Sequence, residues 1–198
     1  MSDNHAVAQA VHDLGSAVWF GGSVMGVAGV NKSGEDLTNS LDRVRVANSA
    51  WSRFGPVEWA GIAATLAAGL RLTQVGKGRI ALQQGFGRTG TVKAAVAVAG
   101  AAATAYSTYC GMKIGKLAEE AQAHGQRVEV QDATTPTDET PPEIARWQKR
   151  ERLAQAAVPV LSGMNIVLGS YLVQSYRTGA TAKGVLHRVL PDRVAALV

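Results

Sequence analysis

The chain has 198 residues, enough for one compact domain or for four membrane spans with their loops. Its apolar fraction of 46% and mean hydropathy of +0.03 do not by themselves require a membrane, but the apolar residues fall in blocks with the charges between them. The net charge of +5 comes without a basic helix interleaved with aromatics, which argues against nucleic acid as a partner, and the single cysteine, Cys110, excludes an internal disulfide framework. The basic residues instead border the apolar blocks, where they can meet anionic headgroups or snorkel.

Four blocks predict four spans, at about residues 6–30, 55–75, 92–112 and 153–176. In the first, Leu14 to Val30 is a run of 17 uncharged residues, about 25 Å of helix, and the stretch back past His12 completes a crossing. Met1 to His5 holds no Lys or Arg, so this block is expected to be an uncleaved span rather than a secretory signal. Glu35 to Phe54 follows, with Leu37, Leu41, Val44, Ala47, Trp51 and Phe54 at helical spacing, which predicts an amphipathic helix lying on the membrane surface.

The second block has only 12 uncharged residues between Glu58 and Arg71, and reaches spanning length when counted from Gly55 to Val75 with Pro56 in its first turn. Gly85 to Gly90 reads GFGRTG, but no acidic residue lies between Tyr106 and Gly111, where a dinucleotide ribose would need one, so this is read as a turn before the third span. The third block has 19 uncharged residues between Lys93 and Lys113. A polar loop over 113–152 comes next, and its Pro-rich part, Gln131 to Glu143, is expected to be mobile. The fourth block has 24 uncharged residues between Arg152 and Arg177, with Pro159 predicting a kink. So long a run leaves no solvated face, which argues against a soluble bundle. The fold class expected is therefore all-α, an integral membrane four-helix bundle with a surface helix between its first two spans.

Within the blocks, Gly22 and Gly26 form a small-xxx-small pair suited to close helix packing. His12, Ser16, Trp19 and Ser23 form one stripe of the first span that can face the interior. His12, with Asp13 orienting it, is the candidate metal or proton site; Glu58 and Asn165 are the other intramembrane polar residues. Alternating direction places His12 near Tyr171 and Gln174, and Glu58 at the opposite side near Tyr106, Tyr109 and Cys110. Met25, Cys110 and Met112 would gather at one side, as soft ligands suited to Cu(I).

The stretch HDLGSAVWFGG, with His12, Trp19, Gly21 and Gly22, resembles the first span of copper-resistance protein D-like and related uncharacterised four-span membrane proteins. The resemblance covers less than a tenth of the chain and implies a multi-pass plasma-membrane protein handling copper at the outer face.

No nucleophile–base pair, zinc motif or phosphate loop stands in a credible context, so a non-enzymatic role is expected. The first expectation is an accessory or structural subunit packing against other membrane subunits, or a homo-oligomer, in the lipid bilayer. The alternative is a small metal-handling or transport protein using His12, for which bound copper or haem would be the sign. Connections one and three carry 11 Lys and Arg against 9 at the other side, a lean towards both termini outside the cell.

Overall fold

The computed structural model describes residues 3–75 and 86–174. It is built from four helices: α1, Asp3–Met25; α2, Ser40–Val75; α3, Phe86–Ala123; and α4, Pro142–Gln174. Among the described residues there is no strand, only an isolated bridge between Val130 and Pro136. At a rise of about 1.5 Å per residue, α2, α3 and α4 run to about 54, 57 and 50 Å, against about 35 Å for α1. The run that begins as α1 does not end at Met25 but continues with helical backbone through Gly26–Val30, Asn31–Ser33 and Gly34–Asp36, so all four runs extend to one end, where they build a second structure, which we call the cap.

The cap has the polarity of a soluble protein. Leu41 and Val44 of α2, Ile114 and Ala118 of α3, Val128 and Val130 of the α3–α4 connection, and Ile144 of α4 pack into an apolar core. Charged residues such as Arg45, Lys116, Glu119 and Glu120 stay outside. Local chemistry sets the chain reversals. Asn39 caps α2, its Oδ1 accepting from the Leu41 amide at 2.9 Å. At the end of α3, Gly125 takes φ +70°, with Gln126 N donating to Ala121 O and Gly125 N to Gln122 O. That pair of bonds is a Schellman motif. Pro142 opens α4 in the first-turn position that needs no amide donor.

Two sequence expectations are corrected here. The apolar stripe Leu41, Val44 and Ala47 is real, but it is buried in protein rather than laid on a membrane surface. It belongs to a helix that runs through Pro56 into the 55–75 segment without a break. The segment Gln131 to Glu143 is likewise not a free loop. Arg43 donates to the carbonyls of Leu37 and Val130, Gln148 Nε2 to those of Asp132 and Ala133, and Thr140 to that of Glu129. Asp132 is 0% exposed, its carboxylate taking the Thr134 amide at 2.7 Å and Lys32 Nζ at 2.5 Å. These polar side chains hold loop carbonyls rather than water.

Beyond the cap, the bundle reverses that polarity. Leu14, Val98, Leu153, Val160 and Val167 point outward, at 60–75% exposure. The interior carries His12, Ser16, Ser23, Thr65, Thr104, Ser107, Ser162 and Asn165. A small apolar knot of Trp19, Ile62 and Val158 lies among them. By length and composition, one helix among the described residues, Pro142–Val173, is long and apolar enough to cross a membrane.

Candidate functional site

The helices approach closely because glycine lets them. A Cβ on Gly22 would stand 2.1 Å from the Phe54 ring, and one on Gly26 2.0 Å from the Trp51 ring. Gly15 meets the backbone of Gly61 directly, a Cβ there lying 2.6 Å from its carbonyl oxygen. The predicted packing pair Gly22 and Gly26 is thus used inside the chain, joining α1 to α2. Trp19 rests on Gly100 of α3, where a Cβ would come 2.7 Å from the indole, and its Nε1 donates to Thr104 Oγ1 at 3.1 Å.

Around this knot the polar groups mostly satisfy one another. Thr65, Thr104 and Ser162 each donate back to a carbonyl one turn earlier. Ser16 and Thr65 hydroxyls lie 3.3 Å apart, and Asn165 Nδ2 donates to Ser16 Oγ at 3.2 Å. Asn165 Oδ1 has no hydrogen-bond partner among the described residues. The expected stripe of His12, Ser16, Trp19 and Ser23 does face the interior.

His12 sits at the end away from the cap. Lys93 Nζ donates to its Nε2 at 2.6 Å, and its Nδ1 lies 3.1 Å from Asp13 Oδ1, which also accepts from Gln9 Nε2 at 2.8 Å. Asp13 therefore orients His12 as expected, but both ring nitrogens are engaged and an ammonium holds the position a metal would take. Among the described residues no three His, Cys, Asp or Glu side chains are grouped to hold a metal ion. Met25 and Met112 are exposed whereas Cys110 is buried, so these sulfurs do not share one environment. In the sequence Lys93 stands out only as the border of the third block, not as a partner of His12. The antiparallel order of the blocks already places both residues at the same end.

Two cavities flank the knot. One, of about 450 Å³, is lined by His12, Lys93, Thr65, Thr91 and Asn165, with leucine and valine from α2 and α4. The other, of about 510 Å³, opens between α2 and α3 on the cap side, with α4 behind it. Glu58 and Glu151 line this second cavity with Asn48, Ser107, Thr108 and Gln155, as do Val27, Trp51, Met112 and Val158. Glu58 thus lies at the opposite end from His12, as alternating direction requires. Glu151, unremarked in the sequence as part of a charged helix, joins it because two helical turns separate it from Val158 on the inward face of α4. Its Oε1 accepts from Gln155 Nε2 at 3.0 Å, and Gln155 in turn accepts from Asn31.

In the cap, electrostatics is conventional. Burial would push the Asp132 carboxyl up, but Lys32 and the Thr134 and Thr135 donors together hold it below the usual aspartate range. Lys32 is correspondingly raised, first by its bond to Asp132. Arg45 makes a two-pronged contact with Glu119, at 2.7 and 2.9 Å, that lowers the Glu119 carboxyl.

Gly85 of the GFGRTG stretch and residues 175–176 of the fourth predicted span lie outside the described residues. No protein-family model, curated protein or solved structure matches the chain.

Proposed function

We propose that the chain is a multi-pass integral membrane protein, with four spans, a folded cap at one membrane face, and a non-enzymatic role as a membrane subunit. The observation that carries this reading is the opposed polarity of its two ends. A cap with apolar core and charged exterior is built for water, and a bundle with Ser, Thr, Asn and His inside and Leu, Val and Ala outside is built for lipid. The uncharged runs of α1 to α4 all fall in the second part. Because Gly22 and Gly26 serve the chain's own packing, contact with a partner falls to the outward Ala95, Ala99 and Ala102 of α3, small residues at helical spacing. The small excess of Lys and Arg in connections one and three, eleven against nine, favours the cytoplasmic side for the cap.

The test is alkaline carbonate extraction of membranes from cells expressing the chain, followed by native mass spectrometry of what stays in the pellet. Retention, with added subunits or copies, is the expected result. Release into the supernatant would overturn the membrane reading, and a lone monomer in mild detergent the subunit role.

One observation favours a second reading, the handling of a small molecule within the bundle. Two cavities, one with buried carboxyl groups and one with an ammonium and an imidazole, lie on either side of Trp19.

A further inference from the structure

Most of the interior polar groups are paired, and Glu58 is the charged exception. It is 4% exposed, lines the cap-side cavity, and has no hydrogen bond or ion pair among the described residues. With no such partner, its carboxyl oxygens face the cavity, so whatever occupies the cavity completes them. The second buried carboxyl group, Glu151, has only the Gln155 amide. Both cations in the cavity lining are at its rim and already committed, Arg45 to Glu119 and Lys116 to Glu120 at 3.6 Å. The cavity therefore offers two carboxyl groups with no cation of its own. The rest of its wall is largely apolar: Val27, Leu41, Val44, Trp51, Met112 and Val158.

We infer that this cavity binds an amphipathic organic monocation, its ammonium against Glu58 and its apolar body along Trp51, Met112 and Val158. The volume of about 510 Å³ is in the range of small-molecule sites. An aromatic wall suits a cation that has left water. Glu151, held by Gln155, adds a second carboxyl group as a hydrogen-bond acceptor, and Asn48, Ser107 and Thr108 supply polar contacts at the side. This assignment rests on the small-molecule reading above and names its ligand class.

The test is isothermal titration calorimetry on the full chain in a neutral maltoside detergent. The probes are benzyltrimethylammonium and, as an anion of similar size, benzylsulfonate. Saturable binding of the cation alone is expected. Glu58→Gln keeps the shape of the side chain and removes its charge, and should weaken binding about 10- to 100-fold, as expected for a lost charge-assisted contact. Gly55→Leu places bulk in the cavity wall where a Cβ meets nothing within 4 Å, and should abolish binding with the helical circular dichroism unchanged. Equal binding of both probes, no saturable heat at millimolar cation, or an unchanged affinity in Glu58→Gln would each overturn the site. Carbonate extraction reads the membrane assignment separately, so failure of one does not imply failure of the other.

Discussion

Asp132 and Gly125 show how single residues hold the cap. The buried Asp132 carboxylate gathers Lys32 Nζ, the Thr134 amide and the Thr134 hydroxyl, so Asp132→Ala strands two buried donors of Thr134 and unpairs Lys32. We expect it to cost about 3 kcal/mol in chemical denaturation, whereas Lys32→Met, which leaves the buried carboxylate its Thr134 donors, should cost less, about 1–2 kcal/mol. The pair also sets a pH window. Asp132 is held below its unfolded value near 3.8, so its contribution is complete above that pH and is lost as pH falls through the lower folded value. Lys32 is raised above 10.5, so its share is complete below that pH and fades as pH rises through the higher folded value. This pair should therefore leave cap stability flat between those limits; a slope near neutrality that disappears in Asp132→Asn would contradict it. Gly125, at φ +70°, should lose about 1 kcal/mol on substitution by alanine, read as a lower melting temperature.

Between elements, the decisive contact is α1 on α2. Gly15 and Gly61 bring two backbones together, and a methyl group at Gly15 meets a carbonyl oxygen that no rotamer change can move. Gly15→Ala should destabilise the bundle by about 1–3 kcal/mol, while Gly21→Ala, whose Cβ would face open space, should leave the melting temperature unchanged or slightly higher. Equal melting of the two variants in detergent would show that the close approach does not matter. At this scale much was legible in the sequence. The stripes His12–Ser16–Trp19–Ser23 and Leu41–Val44–Ala47 both face inward because a 3.6-residue period determines which side chains share a face. What covers such a face is a separate matter. The α2 stripe is buried by Ile114, Val128 and Ile144, residues far away along the chain, and its own pattern suits a bilayer surface equally well.

For the whole molecule, the test is where water reaches. With Cys110→Ala as background, a cysteine at Asp138 in the cap should react with a membrane-impermeant maleimide. One at Val167, 68% exposed on the bundle exterior, should be shielded in membranes and react only after detergent and denaturant. Ready labelling of both positions in intact membranes would mean that the bundle exterior faces water. Mean hydropathy is a poor guide in this chain, since the outward faces of α3 are largely alanine and the inward faces hold serine and threonine. The opposed polarity of cap and bundle becomes visible only when inside and outside are known for each residue.

The sequence by itself determined that the chain is all-helical, where its four apolar segments lie, and that His12 and Glu58 fall at opposite ends. These follow from local period, from chargeless runs and from alternation, all of which are properties of neighbouring residues. The polar loop it predicted over 113–152 is helical through Ala123 and again from Pro142. Tertiary structure alone decided that α2 runs unbroken from cap to bundle, that Lys93 rather than a metal meets His12, and that Glu151 joins Glu58 across a cavity. Each depends on contacts between residues separated by dozens of positions, whose distance is set by how closely glycine allows the helices to pack.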